Sequence, residues 1–80
     1  MEIADAIKYR ILQLCRERKV TVNKFAEYAG LSASSLKNIL YGKSKNPKII
    51  TIKIICDGAG ITLGEFFSTP EFDNLEQEIK

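Results

Sequence analysis

The chemistry open to this chain is set first by what its reactive side chains lack. Its 80 residues include no histidine, and its two cysteines, Cys15 and Cys56, stand far apart in apolar surroundings without Cys-x-x-Cys spacing. A metal site needs several such ligands at close intervals, so no metal and no cofactor is expected, and both thiols read as small reduced core residues. The missing histidine removes the usual general base, and neither a Gly-rich phosphate loop nor a serine-nucleophile motif occurs. Neither catalysis nor a small-molecule substrate is expected. What remains is a stretch of hydroxyls, amides and cations: Ser32, Ser34, Ser35, Lys37 and Asn38, then Lys43, Ser44 and Lys45. Groups of this kind bind by hydrogen bonding and ion pairing.

The net charge of +2 hides an asymmetry that bears on the partner. Residues 1 to 48 hold ten Lys and Arg against four Asp and Glu, giving +6, whereas residues 49 to 80 hold two against six, giving −4. A basic half suits a polyanion. A hydrophobic fraction of 45% is too high for a disordered chain, and 80 residues suffice for one modest core. No stretch approaches the roughly 18 apolar residues of a membrane span, and Met1-Glu2-Ile3-Ala4-Asp5 does not open like a signal peptide. A cytoplasmic protein with no membrane partner is expected.

The elements that must position these groups read as helices. Ala4, Ile7, Ile11, Leu14 and Cys15 recur at three- and four-residue steps, predicting a helix that ends near Arg18-Lys19. Thr21 is a good N-cap for a second, short helix with Phe25, Ala26 and Ala29 on one face and Gly30 as its stop. Ser32 caps a third, with Leu36, Ile39 and Leu40 inward and Gly42 at its end. With Leu36 at zero and about 100° per residue, Tyr41 falls near 140°, Ser34 near 160° and Asn38 near 200°, away from the core. Residues 42 to 48 form a polar, basic loop. The run from Lys48 to Cys56 favours a strand by β-branched propensity, yet Ile49, Ile52, Ile55, Cys56 and Ala59 also fit one helical arc, with Gly58-Ala59-Gly60 as a stop. Thr62 caps a short segment carrying Leu63, Phe66 and Phe67. Thr69-Pro70 opens a last helix with Phe72, Leu75 and Ile79 on one side.

Two short helices joined by Ala29-Gly30-Leu31-Ser32, with a longer helix before and another after, resemble the helix-turn-helix domain of the phage-repressor and Cro-like family. The marks of the resemblance are Phe25-Ala26, Gly30-Leu31-Ser32, Leu36, Ile39, Gly42-Lys43, Asn46-Pro47 and Gly60-Ile61-Thr62-Leu63. It implies an all-α, five-helix domain over residues 1–68, with residues 69–80 as an acidic C-terminal segment that has room for a short sixth helix. It also favours helix over strand for residues 49 to 59. In that family the third helix enters the DNA major groove by its N-terminal half, while flanking groups hold phosphates.

The resemblance therefore implies double-stranded DNA as the partner. Ala33, Ser34 and Asn38 become base-facing positions, and Ser32, Ser35, Lys37, Lys43, Ser44 and Lys45 become phosphate contacts. Asn38 would pair with adenine, and the Ala33 methyl would meet a thymine methyl. The chain departs from the family in having Val22 near a place where relatives often carry glutamine, Lys24 in place of a capping-box acid, and Tyr41 in place of a polar residue. On the helical reading Ile50 and Ile54 lie opposite the inward stripe. They suggest the interface of a homodimer, a surface covered by the chain's own Phe72 and Leu75, or exposed side chains with no special role. The expected function is a sequence-specific transcriptional regulator of the repressor kind. The alternative is a protein-binding adaptor or antitoxin-like module on the same fold.

Overall fold

A computed structural model describes residues 1–42 and 45–79. Its described residues form six helices in the order α1 (Ile3–Arg18), α2 (Val22–Ala29), α3 (Ala33–Tyr41), α4 (Ile49–Ala59), α5 (Leu63–Phe66) and α6 (Pro70–Asp73). Among them no helix is long and apolar enough to cross a membrane. The predicted inward stripe of α1 is buried, including Ile7, Ile11, Leu14 and Cys15, and it shares one core with Phe25, Leu36, Ile52, Ile55, Cys56 and Phe66. Both cysteines are free, and burial pushes their thiols up from the ordinary value, Cys15 against the opposing pull of Arg18.

Local hydrogen bonds fix most helix ends. Thr21 Oγ1 accepts from the Lys24 amide at 3.1 Å, and Ser32 Oγ from the Ser35 amide at 3.1 Å. Thr62 and Glu65 complete a reciprocal capping box at 2.9 and 3.0 Å. The turn between α2 and α3 closes through Gly30, whose φ of 71° lies in the left-handed region, with the Leu31 amide donating to the Ala26 carbonyl at 2.9 Å. At the end of α1 the same left-handed conformation falls on Lys19, at φ 54°, where a Cβ makes it less favourable.

Residues 49 to 59 are helical because Ile52, Ile55, Cys56 and Ala59 all enter the core, and burial of that stripe outweighs their β propensity. Two expectations for this helix need correction, and its expected stop at Gly58-Ala59-Gly60 is narrowed to Gly60. Ile49, placed in the buried arc by its spacing, is 66% exposed, because it is the first residue of α4 and precedes the part of the helix that meets the core. Ile54, placed on the outer face with Ile50, is half-buried; it lies one turn before Gly58, on the side of α4 that α2 approaches. Gly58 is not a stop. The helix runs through it to Gly60 at φ 73°, and a Cβ on Gly58 would lie 2.8 Å from both Cα and Cβ of Ala29. The missing side chain is what lets α2 and α4 touch.

The last helix is shorter than its apolar spacing predicts. It ends at Asp73, leaving Leu75 half-buried and Ile79 89% exposed beyond it. The Asn74 side chain donates to the Pro70 carbonyl at 3.0 Å, and the Glu76 amide donates to the Met1 carbonyl at 3.2 Å, so these groups are committed elsewhere than to a longer helix. Phe72 packs edge-on against Phe67 with ring centroids 4.9 Å apart, beside Phe66, and α6 lies along α1. The tail therefore does not cover Ile50, which remains 59% exposed.

Candidate nucleic-acid interface

The turn from α2 into α3 opens on a polar helix N-terminus. There Ser32 Oγ, besides capping the helix, donates to Ser35 Oγ at 2.7 Å and lies 3.3 Å from Ser34 Oγ, so three exposed hydroxyls share one helix turn. The inward side of α3 is closed by Leu36, Ile39 and Leu40. Its outward side carries Ser34, Lys37, Asn38 and Tyr41, all exposed, as their helical angles require. Ala33 is half-buried on the flank, where only part of its methyl faces outward.

Asn38 is held close to the chain that follows it. Its carbonyl accepts from the Gly42 amide at 3.1 Å, and its side-chain oxygen sits where a Cβ on Gly42 would stand. A larger residue at 42 would displace the amide most suited to reading a base. Beside it, Ser35, Asn38 and Ile39 form one wall of a shallow groove whose other wall is Asn46, Pro47, Lys48 and Thr51. Lys45 is exposed in the loop leading to that second wall. Lys43 and Ser44, the other expected phosphate contacts, lie outside the described residues. Asn46, Lys48 and Thr51 join this surface beyond the expected contacts: their polarity is plain in the sequence, but their position opposite Asn38 follows only from how α4 packs.

The cations of the basic half are not all free to meet a polyanion. Arg10 donates from Nε to the Phe66 carbonyl at 2.8 Å and from a guanidinium nitrogen to the Glu65 carbonyl at 3.0 Å, with its Cζ 5.8 Å from the centroid of the Phe66 ring. Arg18 donates to the Ala59 carbonyl at the end of α4, where a positive charge also suits the helix dipole. Both arginines therefore fasten helix ends to α1. Lys24 is paired with Glu27 at 3.2 Å, which raises the Lys24 pKa and offsets its charge. By contrast, Lys37, Lys45 and Lys48 are exposed around α3 and the groove, without an ion pair among the described residues. Val22, which departs from the family pattern, is half-buried against the core, so it offers no polar contact at the start of α2.

A pair of short helices joined by a tight turn, with the second presenting a polar face flanked by lysines, defines a helix-turn-helix domain. Residues 10–71 match the model of the Cro/C1-type helix-turn-helix DNA-binding domain, and the chain belongs to that family. It is 44% identical over 48 residues to the HTH-type transcriptional repressor RghR of Bacillus subtilis (strain 168), covering 60% of this chain and 36% of that protein. It is 43% identical over 44 residues to an uncharacterized HTH-type transcriptional regulator of the same organism, RghRB, covering 55% and 32%. The chain thus matches about one third of the length of these curated relatives. Its fold is also similar to the crystal structure of the prophage Lp1 protein 11, with a TM-score of 0.79 and 29% identity over 94% of this chain and 100% of that one.

Proposed function

We propose that this chain binds duplex DNA selectively and regulates transcription, as a repressor acting without catalysis. The observation that carries the reading is the outward face of α3, where Ser34, Lys37 and Asn38 stand clear of the core beside a groove walled by Asn46, Lys48 and Thr51. On this reading the N-terminal half of α3 lies in the major groove. Asn38 and Ser34 read base edges, with Ala33 contributing the exposed part of its methyl. Ser32, Ser35, Lys37 and Lys45, joined by Lys43 and Ser44, hold phosphates. The repressor assignment is supported by one relative that bears that description. Selection of bound duplexes from a random library tests the whole reading: enrichment of a shared sequence is the expected result, and no enrichment would favour a protein-binding adaptor.

The two kinds of contact separate by their salt dependence. Lys45→Ala should weaken binding to all duplexes alike and reduce the slope of log affinity against log salt by about 1 per bound protomer. Asn38→Ala should leave that slope unchanged, weaken binding to the selected sequence by about 1–3 kcal/mol, and relax preference at one base pair. Titrations at several salt concentrations measure both effects. An equal loss from Asn38→Ala on mixed-sequence DNA would make Asn38 a backbone contact.

The reading includes pairing of two copies on a two-fold site through the start of α4, where Ile49 and Ile50 are 66% and 59% exposed. Two isoleucines per copy fall well short of the roughly 800 Å² per partner of a stable interface, so pairing is expected on DNA and not in free solution. Ile49→Glu with Ile50→Lys should leave the circular dichroism and single half-site affinity intact while abolishing cooperative filling of two half-sites. Cooperativity unchanged in that variant would move the pairing surface elsewhere.

A further inference from the structure

We propose that Tyr41 is a DNA-backbone contact, its ring lying on a deoxyribose and its hydroxyl donating to a phosphate oxygen. The inference rests on the DNA-binding reading above and adds an uncharged anchor at the far end of α3. Tyr41 is the last residue of that helix and is 67% exposed. Among the described residues its ring has no aromatic partner, whereas Phe66, Phe67 and Phe72 stack on one another and Tyr28 lies near Lys24. It is a large amphipathic side chain whose hydroxyl has no hydrogen-bond partner among the described residues, where such rings usually place the body on apolar surface and the hydroxyl on a polar partner.

Its direction and distance fit the wall of a groove. Tyr41 lies within about 60° of both Ser34 and Asn38 around the helix, and at 1.5 Å per residue it sits roughly 10 Å beyond Ser34 along the axis. The major groove is about 12 Å wide, so a helix that inserts its N-terminal half brings its other end to the edge, where sugars and phosphates stand. Gly42, the residue after Tyr41, is extended, at φ −92° and ψ −159°, and so does not form a left-handed cap. A neutral ring and hydroxyl at that edge add affinity without releasing counterions. This separates Tyr41 from the lysines around it.

The experiment compares the full chain with Tyr41→Ala and Tyr41→Phe, using the selected duplex and a mixed-sequence duplex, each over a range of salt. For Tyr41→Ala the expected result is roughly tenfold weaker binding to both duplexes, equivalent to about 1.4 kcal/mol, with an unchanged salt slope and melting temperature. Tyr41→Phe should fall between it and the wild type, since it keeps the ring and loses the hydroxyl. In the wild type, the Tyr41 ring resonance, assigned by its absence from the alanine variant, should shift on adding duplex while that of Tyr9 on α1 does not. Wild-type affinity in Tyr41→Ala would overturn the proposal, as would a lowered melting temperature, which would make Tyr41 a packing residue. A loss confined to the selected duplex would make it a base reader instead. If the wild type binds neither duplex, the DNA-binding reading itself fails, and a Tyr41 shift on adding a protein partner would then assign the ring to that partner.

Discussion

Gly58→Val is expected to destabilise the domain by about 3 kcal/mol, because the new side chain must enter a space already filled by the backbone of Ala29. A Cβ at position 58 would stand 2.8 Å from the Ala29 Cα and 3.1 Å from its amide nitrogen. Backbone at the last residue of α2, held by the turn through Gly30, cannot rotate aside as a side chain can, so α2 and α4 must separate. Gly58→Ala gives the sharper test of sign. Helix propensity alone would favour alanine by about 1 kcal/mol, whereas overpacking opposes it by about 1–3 kcal/mol. Net destabilisation is expected for alanine, with a melting temperature lower by several degrees. Gly64→Ala is the matched control. Its added Cβ would meet nothing nearer than the Thr62 hydroxyl at 3.8 Å, so it should be neutral or mildly stabilising. Thermal unfolding of the three variants decides the matter: a stabilised Gly58→Ala would mean that the helices part without penalty. Because α2 also packs on α3, the valine variant should lose DNA binding as it loses stability.

Arg10→Ala is expected to lower stability by about 2–3 kcal/mol and to leave the salt slope of DNA binding unchanged. The guanidinium bonds two successive carbonyls, Glu65 and Phe66, at the end of α5, and also the Gln13 side-chain oxygen at 2.9 Å. Removal leaves the partly buried Phe66 carbonyl without its donor. Arg10→Lys should recover little, since an ammonium lacks the planar fork that spans two carbonyls. Arg16, exposed on the same helix, serves as control, with an effect within about 0.5 kcal/mol. Urea titrations of the three variants, together with binding at two salt concentrations, separate the roles. A stable Arg10→Ala protein with a reduced salt slope would reassign the residue to the DNA-binding surface. The prediction matters for function because Arg10 and Arg18 both count toward the +6 of the first 48 residues, yet both are engaged within the fold. With Arg10 and Arg18 fastening helix ends and Lys24 paired, the exposed cations of this half without an ion pair among the described residues are Lys37, Lys45 and Lys48 around α3 and Arg16 and Lys19 at the end of α1.

The amino-acid sequence alone determined the features that close within one helical turn. Thr21, Ser32 and Thr62 each accept an amide three residues ahead, and Gly30 and Gly60 each take the left-handed conformation that ends a helix. Partners that near are set by residue type and spacing, so the order of helices, the turn before α3 and its outward Ser34 and Asn38 could all be read directly. Only the tertiary structure decided what depends on a distant neighbour. Arg10 meets its carbonyl acceptor 56 residues away and Arg18 meets Ala59 across 41, so their identity as charged residues could not distinguish a fastener from a DNA contact. The periodicity of α4 located a stripe but not where that stripe begins to be covered, which left Ile49 exposed and Ile54 half-buried. Gly58 looked like punctuation because a glycine's lack of a side chain serves a helix stop and a close helix crossing equally well. Only the position of Ala29 distinguishes the two.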